Sequence, residues 1–345
     1  MPNPFRVIQI GFGTLGRSIA KAIIQRENLH LDAVVDIDPN LKGKPLADLL
    51  EREISSSLKI RDDLQQVLLE FKNNPPDVAI VSTSSSLEKV VPTIQDCLNA
   101  GMDVLSLCEE LSFPYEKNPE ISKKVHEMGL KAKKSILGTG INPGYLMDLL
   151  PIFLTAPIQH VETIHVTRNM NSSSRRAAFQ RKIGTGMTKE AFEHAISTGA
   201  ITGHVGLVES LQMISDTLKM GLEHVEELPP EPVIAEKKIV TPFATVEKGM
   251  VRGLKSRAIG QKAGKTLVTL DFNAYADADP AYDEVRIEGH PSICQRIEGG
   301  VHGDHATIGM LLNLIPVIVD AEPGLFTMRD IPAPHNTERV FKDSP

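Results

Sequence analysis

The stretch RVIQIGFGTLG, Arg6 to Gly16, decides the fold. Val7, Ile8 and Ile10 form a short β-branched run, which predicts a buried strand breaking at Gly11 and a helix running on through Ala22 to Ile24. Between them Gly11-Phe12-Gly13-Thr14-Leu15-Gly16 supplies G-x-G-x-x-G. Glycines at that junction let the backbone turn tightly and approach a pyrophosphate, whose charge then meets the amides of the helix N-terminus. The pattern alone is weak, because strand-to-helix turns also use glycine for steric reasons. Its context strengthens it. LDAVVDI (31–37) reads as the second strand and puts Asp36 20 residues past Gly16, where a carboxylate accepts hydrogen bonds from ribose hydroxyls. Gly11, Gly13, Thr14, Leu15, Gly16 and Asp36 are thus the expected dinucleotide contacts.

A carboxylate at 36 repels a 2′-phosphate, so NAD is expected ahead of NADP. NADP stays open as a cofactor, because Arg17, Lys42 and Lys44 lie close enough in sequence to fold over a phosphate. STSSS (82–86) closes the strand DVAIVS, and Ser82 and Thr83 are expected along the cofactor edge. Capping of the next helix is the alternative use of the same serines.

Outward from this core the first 140 or so residues alternate short apolar runs with helical patterns: Leu87 to Asn99 after DVAIVS, then DVLSL (103–107), a helix across Glu120 to Leu130, and SILGTG (135–140). Such spacing implies right-handed βαβ units and a parallel sheet covered on both faces. After Pro151 the texture changes to long alternating strands, HVETIHVTRNM (160–170), 237–261 and KTLVTLDFNAYA (265–276), with helices over Thr188 to Thr198 and Gly206 to Met220. The acidic, proline-rich EHVEELPPEP (223–232) reads as a surface connection. The expected fold class is α/β, a doubly wound parallel Rossmann-type sheet with a second α+β domain carrying a mixed or antiparallel sheet. The expected domains are 1–150, completed by 304–345, for the dinucleotide, and 151–303 for substrate and dimerisation.

The 345 residues are 41% hydrophobic and 23% charged, enough apolar surface for a buried core. A net charge of −7 argues against nucleic acid or an anionic membrane as partner, since both require a clustered basic surface. No apolar run reaches the roughly 20 residues of a membrane span, so a cytoplasmic protein is expected. Cys97, Cys108 and Cys294 are too scattered for a disulfide framework or a C-x-x-C metal site.

With CEELSFP (108–114), GTGINPGYLMDLLP (138–151), RKIGTGMTKEAF (181–192), GHVGLVES (203–210) and GGVHGDHATIGMLLNLIP (299–316) added to the glycine motif, nearly the whole chain resembles the 2,4-diaminopentanoate dehydrogenases and the related native amine dehydrogenases. Their fold is similar to that of dihydrodipicolinate reductase. That reductase's own reaction is not expected, since its His-His-x-x-Lys stretch is missing.

In an open parallel sheet the reacting part of a ligand lies beyond the carboxyl ends of the strands. Glu109 and Glu110 stand at such an end, and in an extended segment neighbouring side chains point to opposite sides, so one carboxylate is expected at the reaction and the other in the loop. The resemblance implies a catalytic glutamate here, assigned first to Glu109 and second to Glu110. Asn142 is expected on the nicotinamide amide, and Pro143, Tyr145 and His204 in the substrate pocket. Asp148 reads as an early-helix charge, and Asp304 as an N-cap. His302 and His305 lack a third ligand, so no metal is expected. Arg168, Arg175 and Arg176 are candidates for a substrate carboxylate, with a surface or dimer-contact charge the alternative and the preferred reading for Arg175 and Arg176. The function implied is NAD(P)-dependent amine dehydrogenation, the reversible exchange of a primary amine for a ketone or aldehyde and ammonia; a homodimer is expected separately, because the long alternating strands of the second domain need their open sheet face covered. The alternatives are strict 2,4-diaminopentanoate dehydrogenase activity and a non-catalytic NAD-binding redox sensor.

Overall fold

The computed structural model describes residues 3–50 and 57–338. In chain order the elements begin with β1 (Phe5–Ile10), α1 (Thr14–Gln25), β2 (Leu29–Val35), α2 (Leu46–Leu49), β3 (Ile60–Arg61), α3 (Leu64–Glu70), β4 (Val78–Val81), α4 (Leu87–Asn99) and β5 (Asp103–Ser106). A 3-10 turn, Glu109–Leu111, leads to α5 (Pro119–Ala132), β6 (Ser135–Gly138) and α6 (Leu149–Leu154). There follow β7 (His160–Asn171), α7 (Ala177–Lys182), α8 (Lys189–Ser197), α9 (Leu207–Thr217), β8 (His224–Ile234), β9 (Ile239–Val240) and β10 (Thr245–Val246). The chain closes with β11 (Val251–Lys262), β12 (Lys265–Tyr275), β13 (Tyr282–His290), β14 (Ile293–Glu298), α10 (Gly303–Asn313), α11 (Ile315–Val319) and β15 (Gly324–Phe326).

Two compact units result, Met1–Gly144 with Gly303–Pro345, and Tyr145–His302. The first carries a seven-stranded sheet in the order β15-β6-β5-β4-β1-β2-β3, parallel throughout. Val78–Val81 and Asp103–Ser106 are buried at every position, as strands covered on both faces must be. α4 buries Leu87, Val90, Val91, Ile94 and Leu98, a stripe at helical spacing. The strand order reverses between β1 and β4, which opens a crevice at their carboxyl ends.

The second unit holds a six-stranded sheet in the order β14-β13-β7-β12-β11-β8, parallel only between β7 and β12. Ile164, Val166, Leu270, Phe272 and Val285 point inward and are buried. The stretch 223–232 is not a loop: His224–Ile234 is the edge strand β8, paired antiparallel with β11. Its prolines are tolerated because an edge strand donates on one side only, and its glutamates discourage pairing with another chain.

Two local readings also change. Glu109 and Glu110 are not extended, because Leu111 N–H donates to Cys108 O at 3.0 Å and Ser112 N–H to Glu109 O at 3.1 Å, closing a turn. Asp304 lies inside the first turn of α10, which begins at Gly303, where its charge still faces the favourable end of the helix dipole.

Asp148 is wholly buried and precedes α6 as its N-cap. Its carboxylate accepts from Leu149 N–H at 2.6 Å and from Ser210 Oγ at 2.9 Å on α9, tying two helices of the second unit together. Replacing it leaves both donors without their acceptor. Asp148→Ala is expected to lower stability by about 2–3 kcal/mol, read as a shift in denaturation midpoint, and an unchanged midpoint would remove the structural role.

Candidate active site

In the first unit the glycine loop joins β1 to α1. Gly11 adopts φ +96°, and a side chain there would lie 2.8 Å from Ser82 O. At Gly16 a methyl group would overlap the Gly11 carbonyl. Both glycines are therefore demanded by the chain's own packing. Gly13 is not: a methyl group there would meet nothing within 4 Å. Gly13 is also the N-cap of α1, and among the described residues no side chain caps that helix and no acidic residue stands in its first turn. Open space beside uncapped helix amides fits a pyrophosphate. Thr14 is exposed at this mouth, Leu15 half-buried.

Asp36 ends the neighbouring strand, with one oxygen accepting from Phe12 N–H and the other from Asp38 N–H at 2.8 Å. It holds the glycine loop against β2 while its half-buried carboxylate keeps further lone pairs for a ligand. Of the basic residues nearby, Lys42 pairs with Asp62 at 2.7 Å, and the Arg17 guanidinium sits over the Phe12 ring at 5.4 Å. Ile37, at 89% exposure beside Asp36, is an exposed apolar side chain the sequence reading did not single out. The signal was present: an apolar side chain between Asp36 and Asp38 at a strand end has no inward neighbour to pack on.

Ser82 lies across the loop, its hydroxyl 2.7 Å from Gln9 Nε2, and Thr83 beside it is exposed. The serines that follow do not cap α4. Ser86 holds the N-cap position without a side-chain bond. The cap comes from Glu110, whose Oε2 accepts from Leu87 N–H at 2.8 Å while Oε1 pairs with Lys117 at 3.1 Å. Glu109 is half-buried, and among the described residues no hydrogen bond or ion pair engages its carboxylate. Adjacent carboxylates thus have different surroundings. Asn142 and the buried Pro143 form a tight turn after β6, closed by Gly144 at φ +127°, where a side chain would lie 2.6 Å from the Gly140 backbone.

In the second unit His204 stacks on Phe272 with ring centroids 4.1 Å apart and planes 11° from parallel. Burial pushes its pKa down to about 3, with the charges of Lys182 and Arg168 adding to the effect, so the imidazole is neutral at physiological pH. Arg168 donates to Val301 O at 2.6 Å and stands 3.6 Å from Asp283, its cross-strand neighbour. Burial raises the Asp283 carboxyl, and Arg168 opposes that shift. Both line a cavity of about 360 Å³ with Arg175, Asn171, Ser173 and His302. Arg175 packs over the Phe179 ring at 4.5 Å. Tyr145, half-buried, opens this unit. Among the described residues no group of three or more His, Cys, Asp or Glu side chains gathers around a metal position, and no helix is long and apolar enough to cross a membrane.

Residues 145–344 match the family model of the 2,4-diaminopentanoate dehydrogenase C-terminal domain. Over the whole length, the chain is 30% identical to a 2,4-diaminopentanoate dehydrogenase of Acetoanaerobium sticklandii, covering 98% of this chain and 96% of the other. It is 21% identical to an amine dehydrogenase of Streptomyces virginiae, covering 93% and 94%. Among solved structures, the amine dehydrogenase of Mycobacterium smegmatis superposes with a TM-score of 0.83 at 19% identity, covering 97% and 98%.

The glycines separate packing from ligand binding. Gly16→Ala is expected to destabilise by about 1–3 kcal/mol through overpacking, whereas Gly13→Ala keeps the melting temperature and weakens dinucleotide binding at least tenfold, about 1.4 kcal/mol. Equal affinity in Gly13→Ala, measured by NADH fluorescence titration, would detach that space from the cofactor.

His204 supplies a pH test. Its folded-state pKa is depressed from 6.5 to about 3, so between those values the unfolded chain binds the extra proton. Stability is present above pH 6.5 and falls as pH drops toward 3. His204→Gln is expected to flatten melting temperature against pH in that window; parallel curves for both proteins would contradict it.

Proposed function

The chain belongs to the 2,4-diaminopentanoate dehydrogenase family, and on that premise we propose that it is an NAD(P)-dependent amine dehydrogenase interconverting a primary amine with a ketone or aldehyde and ammonia. It is an oxidoreductase acting on amines. The observation that carries the mechanism is the contrast at the strand end: Glu110 is engaged by Leu87 N–H and Lys117, while the Glu109 carboxylate is left available.

A nicotinamide dinucleotide, when bound, supplies or accepts the hydride. The open space at Gly13 beside the first amides of α1 would hold its pyrophosphate, with Gly11 and Gly16 shaping the turn; Asp36 would accept from its ribose, Ser82 and Thr83 would line its edge, and Asn142 would bond the carboxamide. The protons fall to Glu109. Ammonium must lose one to become a nucleophile, and the carbinolamine formed on the substrate must gain one on oxygen to release water. One carboxylate performs both transfers, taking the proton from nitrogen and returning it to the departing hydroxyl. Its negative charge also favours the iminium that results. Within the second unit, the neutral His204 on Phe272 and Tyr145 are the residues assigned to the substrate.

The strict diaminopentanoate reading requires a receptor for a carboxylate. Arg168 stands beside Asp283 and donates to Val301 O, and Arg175 lines the same cavity, so the two readings part on whether turnover requires a carboxylate on the substrate.

Glu109→Gln keeps the volume and removes the base, so ammonia-dependent NADH oxidation is expected to fall by about 10²-fold or more with NADH affinity nearly unchanged. A fully active Glu109→Gln would end this assignment. Because Asp36 repels a 2′-phosphate and Lys42 is held by Asp62, NADH is expected to bind more tightly than NADPH; tenfold tighter NADPH, about 1.4 kcal/mol, would contradict the role of Asp36.

A further inference from the structure

Glu110 lies 23 residues from the helix end it caps, and the reason for so distant a cap is found in what else the turn touches. Glu110 N–H donates to Ser85 O at 3.4 Å, and the same carbonyl accepts from Cys108 Sγ at 3.1 Å. The Glu109–Leu111 turn is therefore fastened to the Ser82–Ser86 loop from both main chain and side chain. On its other side Ser112 Oγ donates to Glu109 O at 2.7 Å, fixing the Glu109 carbonyl. Gly138 on β6 closes the enclosure, since a side chain there would lie 2.6 Å from the Leu111 carbonyl, so the turn cannot retreat across β6.

From these contacts we propose that Glu110 is the positioning residue for Glu109, latching the proton-handling turn to the α4 N-terminus so that turn and cofactor loop move as one body. This rests on the assignment of proton transfer to Glu109. The latch is the hydrogen bond from Leu87 N–H to a side-chain oxygen, which an amide oxygen at the same position also accepts. Lys117 on Oε1 then selects the rotamer that points Oε2 at Leu87. Any shift of the Ser82–Ser86 loop on loading the cofactor is transmitted to Glu109 through Ser85 O and Leu87 N–H. Proton transfer is sensitive to displacements of this kind, because reacting groups must lie within hydrogen-bond reach.

The test is a double-mutant cycle of Glu109→Gln, Glu110→Ala and the pair, with Glu110→Gln alongside, each assayed for ammonia-dependent kcat, substrate KM, NADH affinity and melting temperature. Glu110→Ala is expected to lower kcat by about 10- to 100-fold through misplacement of the base, with NADH affinity and KM within about threefold. Glu110→Gln keeps an oxygen for Leu87 N–H and is expected to retain kcat within about threefold. Added to Glu109→Gln, Glu110→Ala is expected to cost nothing further, since the group it positions is gone. Glu110→Gln as damaging as Glu110→Ala would overturn the proposal by placing the charge itself in the reaction. Fully additive losses would overturn it by making the two glutamates independent, and a Glu110→Ala enzyme with normal kcat would leave nothing for the latch to do. If Glu110→Ala does not fold, Glu110→Gln decides: near-normal turnover supports the latch and loss of turnover removes it. An active Glu109→Gln enzyme is a different failure, that of the base assignment, and is read from its own arm of the cycle.

Discussion

α1 and β1 approach each other so closely that the Gly11 carbonyl occupies the space a side chain at 16 would need. The rest of the first unit follows from that contact. It fixes where the helix begins, which leaves uncapped amides beside the open volume at Gly13. It seats Ser82 against the loop, through the strand that pairs with β1, and so sets where the Ser82–Ser86 segment and the start of α4 lie. Glu110 then reaches that start, and Glu109 takes its place one residue earlier. The turn at the strand end is thus tied through hydrogen bonds to a steric constraint in the glycine loop.

The paired glutamates show how neighbouring residues of one type acquire different surroundings. A carboxylate that accepts a backbone N–H and an ammonium has most of its lone pairs directed. One with no such contacts is free to exchange protons. The second unit follows similar logic with Arg168 and Asp283, a buried pair whose charges offset each other, and with His204, kept neutral by enclosure beside two cations.

Much of the fold was legible because its signals are local. A β-branched run, a glycine turn and a helical stripe lie next to one another in sequence, so β1, α1, β4 and α4 could be read from short windows. The parallel first sheet and mixed second sheet followed from the change in texture near Pro151. β8 was misread because its prolines and glutamates signal a loop, and only the pairing with β11 turns them into features of an edge strand. The capping of α4 was hidden for a related reason. Local rules assign that task to Ser86, whereas the acceptor lies 23 residues away in Glu110. Ile37 could have been singled out from its place between two aspartates. The Arg168–Asp283 pairing could not, since it depends on the register between β7 and β13.

The proposed activity joins ammonia to a carbonyl carbon. Incubating the protein with NADH, isotopically labelled ammonium and a panel of small ketones and aldehydes, then identifying the products by mass spectrometry, tests it most directly. The expected product is a primary amine carrying the labelled nitrogen, formed in step with NADH consumption and only when ammonium is present. NADH that binds without being consumed, or is consumed to give an unlabelled alcohol, would contradict it.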